Sequence, residues 1–173
     1  PFTGTFQAEG GTFAAAFAGE STTGNWTLAI CDGAFGDFGT VNSWSITFLP
    51  LGPAPINVCG TGNPQSIPVT GTGGFPCAGG PTTSPANVAT AGVIGAGGGQ
   101  FTLDNVAINL NHSWDSDLDI TLISPMGTSL DLSSDNGGSG SNYTSTVFMD
   151  GAPSITTGAA PFTGTFEAEG GPF

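Results

Sequence analysis

Aspartates recur at short intervals in two parts of this chain. Asp115, Asp117 and Asp119 alternate with other residues just before an apolar run, while Asp32 and Asp37 bracket the glycine-rich segment DGAFGDFG. If the first group opens a β-strand, alternate side chains share one face and neighbouring carboxylates lie about 7 Å apart. Two such groups reach one hard cation, and glycines let backbone carbonyls turn toward it, which suits the oxygen-rich shell of calcium. The spacing therefore predicts calcium binding.

Catalytic chemistry has much less support in these residues. His112 is the only histidine, and a Ser-His-Asp centre needs a nucleophile, a base and an orienting acid together. Nothing in the sequence marks such a set, and His112 in NHSW is typical of a surface or turn histidine. Paired carboxylates also serve glycosidases, but in a chain without lysine they fit ion binding better. We therefore expect no enzyme activity from this chain.

The charge balance limits the partners. The chain has no lysine or arginine, 13 acidic residues and a net charge of −13. It cannot neutralise phosphates, which excludes nucleic acid, and no apolar run is long enough to insert in a membrane. An array this acidic repels itself unless cations intervene, which again favours calcium. The alternative is that dispersed carboxylates simply keep a secreted surface soluble.

Apolar residues alternate with polar or small ones in several short runs. We predict the inward-facing sets to be Trp26/Leu28/Ile30, Trp44/Ile46/Phe48, Val106/Ile108/Leu110, Leu118/Ile120/Leu122 and Leu130/Leu132. The turn sequence SPMG separates the last two sets, so residues 117–134 are predicted to form a β-hairpin. Since no helical periodicity of useful length occurs, the pattern predicts an all-β sandwich with one buried face per sheet.

The two ends of the chain repeat each other. Residues 1–13, PFTGTFQAEGGTF, return as residues 161–173, PFTGTFEAEGGPF, and differ only at Gln7/Glu167 and Thr12/Pro172. The offset of 160 residues is about one domain. Such self-similarity is typical of repeat proteins, so we expect the chain to be a window on a longer repeating polypeptide.

Residues 51–82 are rich in proline, glycine and threonine, and their composition predicts a linker. They contain Cys59 and Cys77, whose spacing suits a disulfide-closed loop worth about 3 kcal/mol. Cys31 comes directly after Ile30, so strand alternation would place its side chain on the face opposite to Trp26, Leu28 and Ile30. It is therefore interpreted either as an exposed thiol able to cross-link to Cys59, Cys77 or another subunit, or as a small buried thiol. The cysteine spacing does not favour zinc.

Several of these motifs together resemble a known family. The segment NHSWDSDLDITLISPMGTSLDLSSDNGGSGSNYTSTVFMDGAPSI, followed by APFTGTFEAEG, is similar to the first two-thirds of the P domain that lies beside the catalytic domain of proprotein convertases and occurs on many secreted bacterial proteins. GNWTLAICDGAFGDFGTVNSWSITF is similar to the last third of that domain. The resemblance implies a jelly-roll-like, galactose-binding-like β-sandwich. It also implies calcium ligands at Asp117 and Asp150.

In this resemblance the end of the domain precedes its beginning. Residues 1–50 correspond to the C-terminal part of a P domain, and residues 83–173 to the N-terminal part of the next. The latter would continue into the equivalent of residues 14–50 of a following copy. If copies are separate chains, each completes the sandwich of its neighbour by strand complementation. If they lie in one polypeptide, they are consecutive domains, and a third arrangement is one chain closed on itself, with two 13-residue copies competing for one place.

We therefore expect a structural repeat unit of an extracellular filament, sheath or adhesive stalk, which assembles with itself and is stabilised by calcium. One alternative is the accessory P domain of a secreted subtilisin-like protease. Another is a carbohydrate-binding module with Trp114, Tyr143 or Phe35 as aromatic platform. For an extracellular protein, the sequons at Asn25, Asn111 and Asn142 are candidate glycosylation sites.

Overall fold

The computed structural model of the chain describes residues 2–50, 52, 54–68, 80–95 and 101–157. These residues form ten strands, one α-helical turn and two 3₁₀ turns. The strands are β1 (Phe2–Phe6), β2 (Gly24–Asp32), β3 (Gly39–Pro50), β4 (Ile56–Cys59), β5 (Gln65–Ile67), β6 (Thr82–Val88), β7 (Phe101–His112), β8 (Leu118–Ile123), β9 (Ser129–Ser134) and β10 (Tyr143–Met149). The helical turn α1 spans Phe13–Ala16, and the 3₁₀ turns span Asp115–Asp117 and Ile155–Thr157.

The strands form two sheets. One has the order β1-β10-β7-β3-β4, with β5 also paired to β3, and the other has the order β6-β2-β8-β9. Within this part of the chain the β1–β10 pair is parallel and the other strand pairs are antiparallel. The predicted all-β sandwich is confirmed. No helix in the described ranges has the length and apolar character needed to cross a bilayer.

The predicted inward faces are buried between the sheets. The core contains all the residues of the five alternating sets. Trp26 is fully buried, with the rings of Phe17 and Phe48 edge-on to it at centroid distances of 5.0 and 5.5 Å. The indole N–H of Trp26 donates to the carbonyl of Thr22 at 2.9 Å. Period-two alternation identified these residues because opposite faces of each strand meet core and solvent.

The predicted hairpin is also present. Strands β8 and β9 pair in antiparallel register from Asp119↔Ser134 to Ile123↔Ser129. In the turn, the hydroxyl of Ser124 accepts from the backbone N–H groups of Met126 and Thr128, at 3.2 Å each. Gly127 adopts a positive φ of 90°, which the turn allows because glycine lacks a Cβ atom.

The two halves that resemble opposite ends of a P domain share one sandwich in this chain. Strand β2 lies between β6 and β8, and β3 lies between β7 and β4. Residues 24–50 therefore supply interior strands to both sheets. Of the three arrangements expected from the sequence, the structure of the single chain has the self-closed one.

The segment predicted as a linker is partly built into the sheet. Strands β4 and β5 both hydrogen-bond to β3, because the apolar residues Ile56, Val58 and Ile67 reach the core. Residues 69–79, in the same stretch, lie outside the described residues.

The predicted Cys59–Cys77 disulfide is wrong. Cys59 is an exposed free cysteine, whereas Cys31 is buried and disulfide-bonded. Both faces of β2 are buried from Leu28 to Asp32, so position 31 is enclosed even though it is out of phase with the apolar face. Cys77 lies outside the described residues.

Candidate functional site

The ends of several strands meet at one edge of the sandwich. In the sheet registers, Asp32 at the end of β2 pairs with Leu118 at the start of β8, and Gly39 at the start of β3 pairs with His112 at the end of β7. The 3₁₀ turn Asp115–Asp117 connects β7 to β8 at the same edge. This edge therefore gathers the only histidine and most of the aspartates predicted as ligands.

His112 and Asp32 form a buried pair within this edge. The Nε2 atom of His112 lies 3.2 Å from Oδ2 of Asp32, and both side chains are fully buried. The other ring nitrogen, Nδ1, lies 2.8 Å from the carbonyl oxygen of Trp114. The backbone N–H of His112 donates to the side-chain oxygen of Asn142 at 3.0 Å. His112 is thus buried, so the surface alternative for NHSW is wrong, and its contacts with Trp114 two residues later are those of a turn histidine.

Asp117 lies close to other carboxylates. Burial raises the pKa of Asp117, and the negative charges of Asp32 and Asp37 raise it further. Asp37 accepts a hydrogen bond from the hydroxyl of Ser113 at 2.5 Å. The DGAFGDFG segment and the 3₁₀ turn therefore bring together acidic residues that are far apart in sequence.

Asp115 is the most enclosed carboxylate of the turn. Its side chain is buried, and burial raises its pKa to about 6, against the opposing effect of a hydrogen bond from the backbone of Asn142. That N–H donates to Oδ1 at 2.8 Å, while Oδ2 is buried without a hydrogen-bond partner. A buried carboxylate oxygen without a donor favours the protonated form.

The expected common face of Asp115, Asp117 and Asp119 is not formed. The strand begins only at Leu118, and the two preceding aspartates lie in the 3₁₀ turn, so strand alternation does not apply to them. Asp119 instead lies within β8, opposite Cys31 of β2. Burial raises the pKa of Asp131, a hydrogen bond from Ser134 opposes this, and the charge of Asp119 adds to the rise. The carboxylates of Asp115, Asp117 and Asp119 therefore do not form an alternating row that could bind one ion.

Asp150 has a local structural contact. Its Oδ1 accepts from the backbone N–H of Phe13 at 2.6 Å, and its Oδ2 accepts from that of Ala14 at 3.1 Å. It thereby binds the otherwise unpaired donors at the start of α1. Asp150 follows β10, whereas Asn142, the partner of Asp115, precedes it. Seven strand residues separate the two ends by about 20 Å, so Asp150 and Asp117 cannot bind the same ion.

The fit to calcium is incomplete. Across the described ranges, no three histidine, cysteine, aspartate or glutamate side chains stand close enough together to hold a metal ion. The Asp32, Asp37 and Asp117 group has the right chemistry, since carboxylate oxygens suit calcium. Backbone carbonyls or water would have to supply the rest of the shell.

An open cleft of about 390 Å³ lies beside His112. It is lined by Phe38, Gly39, Thr40, Asn111, His112, Ser113, Ser141 and Asn142. Phe38 is 73% exposed, and on the flanking segments Phe35 is 90% and Trp114 is 44% exposed. Tyr143, predicted as part of an aromatic platform, is buried instead, and its hydroxyl lies 3.2 Å from that of Ser133. The sequence named Asn111, His112 and Asn142 for other reasons, but it did not predict Phe38 or a cleft, because β3 and β7 bring these residues together only in the fold.

The three sequons differ in their surroundings. Asn25 and Asn111 are exposed, although the side-chain oxygen of Asn25 accepts from Asn87 at 2.7 Å. Asn142 is only partly exposed, and its side-chain oxygen accepts the hydrogen bond from His112. Glycosylation at these positions remains a prediction, and Asn142 is the least accessible of the three.

Comparison with known proteins identifies the family. The model of the proprotein convertase P-domain matches residues 4–48 and 104–167, which together make up more than half of the chain. No curated protein and no solved structure gives a significant match. The described parts of the matched segments contain the His112–Asp32 pair, the 3₁₀ turn Asp115–Asp117 and β8 to β10, and they fold into one sandwich. The chain therefore belongs to the proprotein convertase P-domain family.

Proposed function

We propose that this P-domain chain is a structural repeat unit of an extracellular filament, sheath or adhesive stalk. The observation that carries the proposal is the return of residues 1–13 as residues 161–173. An accessory domain that occurs once does not require such a repeat, whereas an array of copies does. P domains occur in secreted proteins, which supports an extracellular location.

The sandwich has the interfaces that copies would share. Strand β2 makes antiparallel ladders with both β6 and β8, and β3 pairs with β7 from Gly39↔His112 to Pro50↔Phe101. If residues 24–50 came from a neighbouring copy, the same ladders and the same buried apolar faces would join two chains. Strand complementation of this kind gives strong association because main-chain hydrogen bonds and core contacts are both shared.

Calcium is part of this proposal. The net charge of −13 opposes close association of copies. The pKa of Asp117 is raised first by burial and then by the negative charges of Asp32 and Asp37, so like charges face its carboxylate. A divalent cation near Asp37 and Asp117, with backbone carbonyls and water completing its shell, would relieve that repulsion. We expect calcium to raise thermal stability and to lengthen assemblies, and the chelator EGTA to reverse both effects. Unchanged particle length and stability in EGTA, with no bound calcium, would contradict this part.

Strand sharing is tested by mixing two damaged chains. Ile30→Asp puts a buried charge in β2, and Ile108→Asp does the same in β7. Each variant alone should fail to fold. In a mixture, the Ile108→Asp chain supplies an intact segment 24–50 and the Ile30→Asp chain supplies an intact segment 82–149. If sandwiches form between chains, refolding the mixture should recover up to half of the native near-ultraviolet circular dichroism. A matched mixture of Ile30→Asp and Ile46→Asp, both within residues 24–50, should recover none. Failure of the first mixture as well would leave only the self-closed sandwich.

A second candidate is carbohydrate binding. The exposed ring of Phe38 lines a cleft whose lining is otherwise mostly amides and hydroxyls, and the exposed residues Phe35 and Trp114 are near lining residues in sequence. This combination is suited to sugars because aromatic rings stack on their apolar faces. Glycan-array binding that is lost in Phe38→Ala and Trp114→Ala, but kept in Met126→Ala on another exposed turn, would favour it. A third candidate function is that of the accessory P domain of a secreted subtilisin-like protease, and only the family assignment supports it.

A further inference from the structure

The large apolar side chains that are exposed in the described residues lie at the two ends of the sandwich. They are Phe35, Phe38 and Trp114 at one end, and Leu49, Val93 and Met126 at the other. The first end holds His112 and is called the His112 end below, and the second holds α1 and is called the α1 end. Exposed apolar residues gathered in this way mark surfaces for protein–protein contact. Both ends are therefore suited to bind another protein.

Phe35 is presented on a loop whose base is held by hydrogen bonds. The loop joins β2 to β3 at the His112 end. At its start, the N–H of Ala34 donates to Oδ1 of Asp32 at 3.2 Å, and near its end Asp37 accepts from the hydroxyl of Ser113 at 2.5 Å. The ring of Phe35 between them is 90% exposed. A ring on a loop that is already held loses little conformational freedom when a partner buries it.

The α1 end has a pocket of the size of such a ring. The pocket has a volume of about 140 Å³ and is lined by Ala14, Ile94, Gly95 and Thr102, none of which is charged. Ile94 is buried, whereas Ala14 and Thr102 are exposed, so the pocket opens to solvent. A cavity of about 150 Å³ with apolar walls takes up benzene, and benzene matches the ring of a phenylalanine side chain. One phenylalanine ring therefore fits this pocket.

The ring and the pocket lie at opposite ends of the molecule. In β7, Thr102 of the pocket is near the start of the strand and His112 is at its end, and a strand of this length spans about 33 Å. One chain therefore cannot place its own Phe35 in its own pocket. When the ring of one copy enters the pocket of another, the pair still has one free ring and one free pocket. A head-to-tail contact of this kind extends into a filament unless it closes on itself.

The path of the chain brings a following copy to the α1 end. Strand β1 begins at the His112 end, where Phe2 pairs with the first residue of β10, and Gln7 beyond its other end pairs with Ser154. The described residues end shortly afterwards at Thr157. In the sequence repeat Phe162 corresponds to Phe2, and the five residues from Thr157 to it extend at most about 18 Å. In a tandem array, the His112 end of the next copy therefore begins within reach of this α1 end.

We propose that copies of this domain stack end to end, with Phe35 of one copy inserted in the pocket between α1 and β7 of another copy. This inference rests on the proposed function and names the surface through which the repeat units bind one another. It differs from strand sharing because each sandwich stays whole. Salt screens the repulsion between the acidic chains but does not weaken the burial of a ring, so association should strengthen as salt is added.

Two single variants of the whole chain test the contact. Phe35→Ser removes the ring, and Ala14→Gln adds a longer side chain beside the pocket. Both positions are exposed, so the fold should be kept, with near-ultraviolet circular dichroism as the check. Sedimentation velocity is measured over a concentration series in EGTA and about 0.5 M sodium chloride, which screens the charges. We expect the unchanged chain to form a series of oligomers, and each variant to need at least a tenfold higher concentration, because a buried phenylalanine ring is lost.

A mixture of the two variants shows the direction of the contact. The Phe35→Ser chain keeps its pocket and the Ala14→Gln chain keeps its ring, so an equal mixture should form dimers that grow no further. If two Phe35 loops instead bound each other, Ala14→Gln alone would still associate, and that result would overturn the inference. An unchanged chain that stays monomeric would overturn it as well.

The contact and the proposed function can fail separately. Oligomers that form equally in the unchanged chain and in both variants would show that the end-to-end contact is wrong, while a self-assembling repeat unit would still stand. The refolding mixture of Ile30→Asp and Ile108→Asp changes neither contact residue, so its outcome bears on strand sharing alone.

Discussion

The imidazole of His112 lies 3.2 Å from the carboxylate of Asp32, and both side chains are fully buried. In a chain without lysine or arginine, this is the contact that the described residues form between a carboxylate and a basic side chain. The pair joins the end of β2 to the end of β7, so it links the two sheets at the acidic edge.

We expect the loss of either partner to destabilise the fold. His112→Gln leaves Asp32 buried beside an amide, and breaking a buried pair costs about 3 kcal/mol. Denaturant unfolding should show this loss for His112→Gln and for Asp32→Asn. The double variant should cost less than the sum of the two, since neither buried polar group is then left facing the place of a missing partner. Strictly additive losses would show that the two side chains do not interact.

The raised pKa of Asp115 predicts that the stability of the protein depends on pH in the absence of calcium. Its pKa is raised from 3.8 to about 6 in the folded protein, so the folded state binds the proton more tightly than the unfolded state. The free energy of unfolding should therefore fall as the pH rises from about 4 to about 6, and level off above. The measurement is denaturant unfolding in EGTA at each pH.

Other aspartates contribute to the same slope, so a matched variant is needed. Asp117, Asp131 and Asp150 also have raised pKa values. Asp115→Asn retains a side-chain oxygen for the Asn142 N–H but cannot titrate, and the difference between the two curves isolates Asp115. Curves that run parallel between pH 4 and 6 would contradict its assignment.

Asp150 should act as a helix cap and not as a calcium ligand. Asp150→Ala removes both acceptors of the Phe13 and Ala14 N–H groups, and a loss of about 1 to 2 kcal/mol is expected. Thermal unfolding in calcium and in EGTA should give the same loss. Asp104→Ala, a partly exposed aspartate outside this contact, is the control. A loss seen only in calcium would restore Asp150 as a ligand.

The free thiol of Cys59 should be reactive in the native protein. Because its side chain is exposed, maleimide should modify Cys59 without denaturant, and Cys59→Ser should abolish that label. Cys31 should stay protected until the disulfide is reduced, and Cys31→Ser should cost about 3 kcal/mol. Recovery of a Cys59–Cys77 peptide from the unreduced protein would contradict this assignment.

Local sequence determined the inward faces of β2, β3, β7, β8 and β9, but not the strands β4 and β5 inside the predicted linker. Alternation has a period of two, so Trp26, Leu28 and Ile30 could be assigned to the core without knowing what they contact. The turn at SPMG could also be recognised from a few neighbouring residues. The excess of acidic residues and the motifs that resemble the P domain were likewise visible in the sequence alone. These features depend on residues a few positions apart, and the fold confirms the ones that it tests.

The tertiary structure alone decided which groups meet. Asp32 and His112 are 80 residues apart, and only the pairing of distant strands places them together. A 3₁₀ turn, which alternation does not reveal, separates Asp115 from the row expected with Asp119. Tyr143 and Cys31 proved buried because a second layer covers their faces. Burial, hydrogen-bond partners and pKa values depend on what packs across the sandwich, and that information is spread over the whole chain.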